Sequence, residues 1–240
     1  MFANIEIMRT FGKLQNIYFI GIGGIGMSAL ARWFNAAPGY SGVAGYDRVA
    51  TPLTGQLVDE GILIHYEDDV EEIPSFITTA KNETLVVYTP AIPADHNELT
   101  FFRKNGFTVL KRAEVLGLIT KDKFTIAVAG THGKTTIASM IAHILNYSGL
   151  NCTAFLGGIS INFNSNLLIN DPKSPNITDH RLPITDHRSP ITDHRLPITD
   201  HRSPITDYRL PIYVVEADEY DRSFLALHPD IAVISSVDAD

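Results

Sequence analysis

The chain has one cysteine, Cys152, in 240 residues. It therefore cannot build a disulfide framework or a thiolate zinc site from its own residues. Such sparing use of cysteine fits a reducing compartment, and a cytoplasmic protein is expected. No apolar stretch approaches the roughly 20 residues needed to span a bilayer. Residues 1–10 include Glu6 and Arg9 and lack the apolar core and small-residue cleavage site of a secretory leader. Membrane insertion is not expected. Runs of lysine or arginine are also missing, and the net charge is -8, which gives a surface that repels nucleic acid and anionic lipid. A hydrophobic share of 45% with 19% charged residues excludes disorder throughout.

What is present is an alternation of short strands and helical stretches. Residues 16–22 (NIYFIGI) form a β-branched and aromatic run that ends in glycines, and residues 27–34 are compatible with a helix. Further strands are expected at 41–46, 62–65, 85–88 and 109–110, then at 124–129, 212–215 and 230–235. This order predicts α/β architecture, with parallel sheet covered by helices. A boundary near Lys121 divides the chain into residues 1–120 and 121–240.

The second part carries a tandem array. SPNITDHR, LPITDHR, SPITDHR, LPITDHR and SPITDYR follow one another over residues 174–209, and the insertion as a whole covers 174–211. A proline in every unit blocks both a continuous helix and a central strand, and the apolar content is too thin for a core of its own. A solvated loop is expected, an insertion that loop-closure entropy tolerates. His180, His187, His194 and His201 recur at equal spacing, as in some metal-binding tracts. Each unit also carries an arginine, however, so the array has no design for capturing cations.

Three clusters carry chemistry. Gly21, Gly23, Gly24 and Gly26 satisfy G-x-G-x-x-G between a strand and a helix, and Asp47 closes the next strand about 20 residues on. Such a turn lets backbone approach a diphosphate at a helix N-terminus, and the acidic residue can hydrogen-bond a ribose or base. The pattern makes residues 1–120 Rossmann-like and leaves NAD, FAD or a UDP-sugar open as ligand. The second cluster is Gly130-Thr131-His132-Gly133-Lys134-Thr135-Thr136, a phosphate loop of the P-loop type between the strand at 124–129 and a helix expected to begin near Ile137. It departs from the full pattern, which wants glycine where Val128 stands. Its backbone is expected to cradle phosphates, with Lys134 between the β- and γ-phosphates and the Thr135 hydroxyl on magnesium. The third cluster is an apolar strand running into Glu216, Asp218, Glu219 and Asp221. So many carboxylates together call for a cation, and Mg²⁺ is the natural one beside a phosphate loop.

These clusters and their order resemble the Mur ligases. The residues that carry the resemblance are FIGIGGIGMSALA (19–31), AGYDR (44–48), GTHGKTT (130–136), FLGGI (155–159) and VEADEYDRSFL (215–225). The resemblance covers nearly the whole chain outside the array. It implies a three-domain ATP-dependent amide-forming ligase of cell-wall synthesis whose substrates are ATP, UDP-N-acetylmuramate and L-alanine, with Mg²⁺. On that resemblance, the turn at 21–26 holds the UDP diphosphate, 130–136 the ATP phosphates, and Thr135 with Glu216 the magnesium ion, with Lys134 and Glu216 in the catalytic roles. The family pattern continues past Asp240 with a histidine and a further domain. The 240-residue chain is thus expected to bind nucleotide without ligating, and to expose an unpaired sheet edge that lowers its solubility. Three alternatives stay open: a ligase that recycles a ready-made tripeptide, an NAD(P)-dependent oxidoreductase, which would leave 130–136 idle, and a non-catalytic nucleotide-binding scaffold.

Overall fold

The computed structural model of the protein describes residues 13–170, 211–217 and 225–236. The repeat array with its histidines, the carboxylates Asp218, Glu219 and Asp221, and residues 1–12 and 237–240 lie outside them.

The described residues form two five-stranded sheets. The first contains β1 (Asn16–Ile20), β2 (Gly42–Tyr46), β3 (Leu63–His65), β4 (Thr84–Tyr88) and β5 (Thr108–Lys111), in the order β3-β2-β1-β4-β5. Every pairing is parallel, with Ile17 between Val43 and Leu85. All five residues of β1 are buried, because helices cover both faces and an apolar residue suits every position. Ile17 and Phe19 face α1 (Ile25–Ala36), α2 (Pro52–Asp59) and α5 (Arg112–Thr120). Tyr18 and Ile20 face α3 (Ser75–Thr79) and α4 (Asn97–Lys104). The strand order reverses between β1 and β4, and in open sheets of this kind ligands bind in the crevice at that reversal.

The second sheet has the order β10-β6-β9-β7-β8 and contains β6 (Phe124–Ala129), β7 (Cys152–Ser160), β8 (Ser165–Leu168), β9 (Ile212–Glu216) and β10 (Ile231–Ile234). Helix α6 (Lys134–Tyr147) packs on β7 and β9. Strands β7 and β8 were not expected from the sequence. They form an antiparallel hairpin that is irregular between Phe155 and Ser160, so the second sheet is mixed. Gly157 and Gly158 interrupt the apolar run and hide its strand pattern. Two helix starts also differ from expectation. Helix α6 begins at Lys134 instead of near Ile137, and α1 begins at Ile25, so Gly26 lies in its first turn. In both cases a glycine turn and a helix start share the same residues, which sequence patterning cannot separate.

Helix α1 serves both sheets. Its Leu30, Ala31 and Phe34 share one apolar core with Phe155, Leu167, Tyr213 and Val215 of the second sheet. Tyr213 of β9 also lies beside the side chains of Trp33 of α1 and of Thr153.

The other face of the first sheet encloses a polar cluster. The Tyr18 hydroxyl lies 2.6 Å from both His65 Nε2 and Glu98 Oε2, and Glu98 is fully buried. His65 Nδ1 lies 3.0 Å from the Glu67 carbonyl, which can only accept, so Nδ1 carries the imidazole proton. Nε2 of the neutral ring must then accept from Tyr18, whose oxygen in turn accepts from a protonated Glu98. Burial acts in the same sense, pushing the Glu98 carboxyl up to about 8 and lowering the pKa of His65. The 3.4 Å approach of His65 to Glu98 Oε1 is accordingly not an ion pair. Glu98 Oε1, which has no hydrogen-bond partner among the described residues, is a neutral carbonyl oxygen and costs less to bury than half of a carboxylate. The surrounding titratable groups are Tyr46, Asp68 and His96, and Asp68 lies 3.1 Å from His96 Nδ1.

Glu98 therefore holds its proton more tightly in the folded chain than in the unfolded one, where it titrates near 4.5. The stability it confers is complete below that value, drains as pH rises, and is lost once pH passes about 8. His65 and His96, lowered by burial, act in the opposite sense, but only below about 6.5. The melting temperature is expected to fall between about pH 6.5 and 8. Glu98→Gln, which keeps a donor for Tyr18, should flatten that slope. A wild-type melting temperature that does not change across this window would mean that Glu98 is buried as a carboxylate.

Candidate functional site

The carboxyl ends of the two sheets open on one cleft of about 470 Å³. It is lined from the first sheet by residues 24–27, 89–91 and Arg112, and from the second by Lys134, Thr135, residues 155–157 and Glu216.

The first glycine turn is built by backbone hydrogen bonds. Gly21 and Ile22 both donate to the Tyr46 carbonyl, at 2.8 and 3.0 Å. Gly21 has a φ of 86°, where a side chain would be strained, and a Cβ there would meet Thr89 at 2.9 Å. The Gly23 N–H donates to Asp47 Oδ2 at 2.7 Å, and Asp47 Oδ1 accepts from Val49. Gly21, Gly23 and Asp47 thus shape the turn and do not line the cleft, whereas Gly24 and Gly26 do. No side chain among the described residues caps α1, and Gly24 to Met27 line the cleft, so the N-terminal end of its dipole faces the cleft. The Arg112 guanidinium lies against this end, where a Cβ on Gly26 would stand 2.7 Å from Nη1.

The phosphate loop is held from behind by the end of β10. Thr131 N–H donates to the Ser236 carbonyl at 3.1 Å and His132 N–H to Ser236 Oγ at 3.2 Å, while Ser235 Oγ donates to the carbonyls of Ala129 and His132. Gly130 and Gly133 both have positive φ, and Gly133 is the left-handed residue that opens α6. Lys134 Nζ reaches back to the Gly130 carbonyl at 2.6 Å and closes the loop on itself. Thr136 follows in the first turn of α6.

Glu216, at the end of β9, is gripped from two sides. Oε2 accepts from Thr135 Oγ1 at 3.0 Å, and Oε1 accepts from the Gly157 N–H at 2.5 Å. A carboxylate and a hydroxyl side by side at the start of α6 are hard oxygen donors of the kind magnesium takes along with nucleotide phosphates. Among the described residues no group of three or more His, Cys, Asp or Glu side chains is gathered as a metal site. An ion here would therefore complete its shell with phosphate and water.

Sequence reasoning from the residues missed Gly157, Arg112, Ser235 and Ser236. Only Gly157 carried a signal, the paired glycines of FLGGI. Arg112 and the two serines are ordinary surface residue types until the fold brings them to the loops.

Comparison with known proteins places these features in context. Residues 16–124 match the family described as Mur ligase family, catalytic domain. The UDP-N-acetylmuramate--L-alanine ligase of Cytophaga hutchinsonii is 47% identical over 227 residues, which are 95% of this chain and 41% of that protein. The enzyme of the same name from Flavobacterium johnsoniae is 47% identical over 233 residues, 96% of this chain and 42% of that one. The chain thus spans about two fifths of the length of the curated relatives it matches. Among solved structures, the UDP-N-acetylmuramate:L-alanyl-gamma-D-glutamyl-meso-diaminopimelate ligase of Neisseria meningitides superposes with a TM-score of 0.71 at 26% identity, covering 95% of this chain and 62% of that one. The UDP-N-acetylmuramate-alanine ligase of Thermotoga maritima gives 0.65 at 25%, covering 92% and 41%.

A methyl group added at Gly157 would fall against Glu216 Oε2. Gly157→Ala is expected to cost about 1–3 kcal/mol, the usual penalty of overpacking, read as a lower urea midpoint. An unchanged midpoint would show that the carboxylate is free to move aside.

Proposed function

The chain belongs to the Mur ligase family, and from that premise we propose that it is part of an ATP-dependent ligase that joins L-alanine to UDP-N-acetylmuramate in cytoplasmic peptidoglycan synthesis. Residues 1–120 then form the sugar-nucleotide unit and residues 121–240 the ATP-binding unit. The observation that carries the reading is the single cleft onto which both the open end of α1 and the phosphate loop face.

In this reading the first turn of α1, with Gly24 and Gly26, receives the UDP diphosphate, and Gly21, Gly23 and Asp47 hold that turn in shape. Residues 130–136 receive the ATP phosphates. Lys134 would leave the Gly130 carbonyl to meet the β- and γ-phosphates, so that its charge offsets the one that builds up in phosphoryl transfer. Thr135 and Glu216 would hold Mg²⁺, whose contribution when bound is to neutralise phosphate charge. The γ-phosphoryl passes to the lactyl carboxylate of UDP-N-acetylmuramate and makes an acyl phosphate. This step is needed because a bare carboxylate is a poor electrophile and lacks a good leaving group. The amine of L-alanine attacks the acyl phosphate, and amide and inorganic phosphate leave. Arg112 supplies a second cation in the cleft, beside the sugar-nucleotide end.

The tripeptide-recycling reading draws on the fold likeness to the Neisseria ligase. Solved structures of the two kinds of ligase are alike in identity, 26% and 25%, so the alanine reading is preferred on the sequence relatives, which at 47% identity carry the alanine-ligase name. An NAD(P)-dependent oxidoreductase would give the phosphate loop and Glu216 nothing to do.

A ligand that binds only the native state raises the melting temperature. UDP-N-acetylmuramate and Mg-ATP are each expected to do so, and NAD is not. Lys134→Ala should abolish the Mg-ATP shift and spare the sugar-nucleotide shift. A shift with NAD alone would sink the ligase reading.

A further inference from the structure

One fully buried polar side chain joins the two sheets. Asn166, on the edge strand β8, has no exposed surface. Its Nδ2 donates to the Ile25 carbonyl at 2.6 Å and to Ser28 Oγ at 2.8 Å, both on the first turn of α1. Its Oδ1 accepts from Arg32 Nη1 at 2.5 Å. Both amide protons and the oxygen are thus used, and all three partners lie on α1. Arg32 is itself fixed by Glu60, with two bonds of 2.9 Å from Nε, and by Gln56 at 3.1 Å. The amide therefore cannot flip or slide along the helix without leaving buried groups unpaired.

We infer that Asn166 is a positioning residue that sets the separation between the anion-binding end of α1 and the phosphate loop. The argument rests on where its partners lie. Ile25 and Ser28 belong to the turn that opens α1, and Ile25 lines the cleft. Strand β8 pairs with β7, which carries Gly157 and so holds Glu216. The link from Asn166 to the Glu216 end of the cleft runs through this hairpin, which pairs Phe155 with Leu167 and Ser160 with Ser165 and is irregular between them. Apolar packing of α1 on β7 and β8 supplies attraction but no direction. The hydrogen bonds of Asn166 select one register of the helix on the hairpin. Under the proposed function this register matters because phosphoryl transfer between two bound substrates depends on their distance, and a displacement of about 1 Å can cost a hundredfold in rate. The inference rests on that reading for its purpose, but its geometry can be tested without any ligand.

Cys152 is buried, with its thiol pushed up to about 12, so spin labels can be directed to cysteines introduced at the exposed positions Glu71 and Ser148. In the otherwise native 240-residue chain the interspin distance distribution should be narrow. Asn166→Leu keeps the approximate volume and removes all three bonds. The distribution is expected roughly to double in width, as for domains without a fixed interface. Arg32→Met, which leaves Asn166 in its pocket, should give an intermediate width and serves as the test if Asn166→Leu does not fold. Distributions as narrow as the wild type in folded variants would overturn the inference. Melting shifts with Mg-ATP, measured on the same samples, report separately on the proposed function. If the wild type shows no Mg-ATP shift, the ligase reading fails while the distances still decide the role of Asn166.

Discussion

The structure depends on a single helix packed between two sheets, in one core that both of them share. Helix α1 crosses over between β1 and β2 of the first sheet and packs against β7 and β8 of the second. Met27, Ser28, Ala29, Leu30, Ala31 and Phe34 are all buried. Small residues in the first half let two backbones approach, and Phe34 and Trp33 fill the wider far end, where Phe34 and Tyr40 meet edge to face at 4.8 Å. The free N-terminus of this helix opens on the cleft. The same burial that joins the units therefore aims a partial positive charge at the space between them.

Much of this was legible in the sequence, for reasons specific to each element. The central strands β1 and β4 were visible because buried parallel strands are continuous apolar runs, and β1 is buried along its whole length. The two glycine turns were visible because a sharp turn beside a phosphate tolerates few residue types. What stayed hidden was of two kinds. Strand β7 was obscured by a glycine whose purpose is close approach, since Gly157 makes room for the Glu216 carboxylate, and β8 is only four residues long with two of them polar. Arg112, Asn166, Ser235 and Ser236 gave no signal because their roles come from long-range contacts. Asn166 lies 141 residues from Ile25 along the chain.

The division of labour among the glycines and Asp47 was also beyond the sequence. The fingerprint implies a sharp turn that can approach a diphosphate and an acidic residue able to bond a ribose or base, without saying which glycine does which. In the structure Gly21, Ile22 and Gly23 spend their N–H groups on Tyr46 and Asp47. Only the later part of the motif is presented to the cleft. A motif of this kind records both the contact surface and its scaffold, and the two cannot be told apart until the hydrogen bonds are counted.

The buried position of Cys152 links redox chemistry to the phosphate loop. The thiol is 1% exposed and donates to the Ala142 carbonyl of α6 at 3.8 Å, and its raised pKa leaves almost no thiolate to react. Oxidants and alkylating agents can reach it only when α6 lifts from β7. That helix begins with Lys134 and Thr135, so the opening that uncovers the thiol also displaces the glycine loop at 130–136. Chemical capture of this cysteine would therefore trap the chain with that side of the cleft dismantled, whereas the folded chain stays inert toward the same reagents.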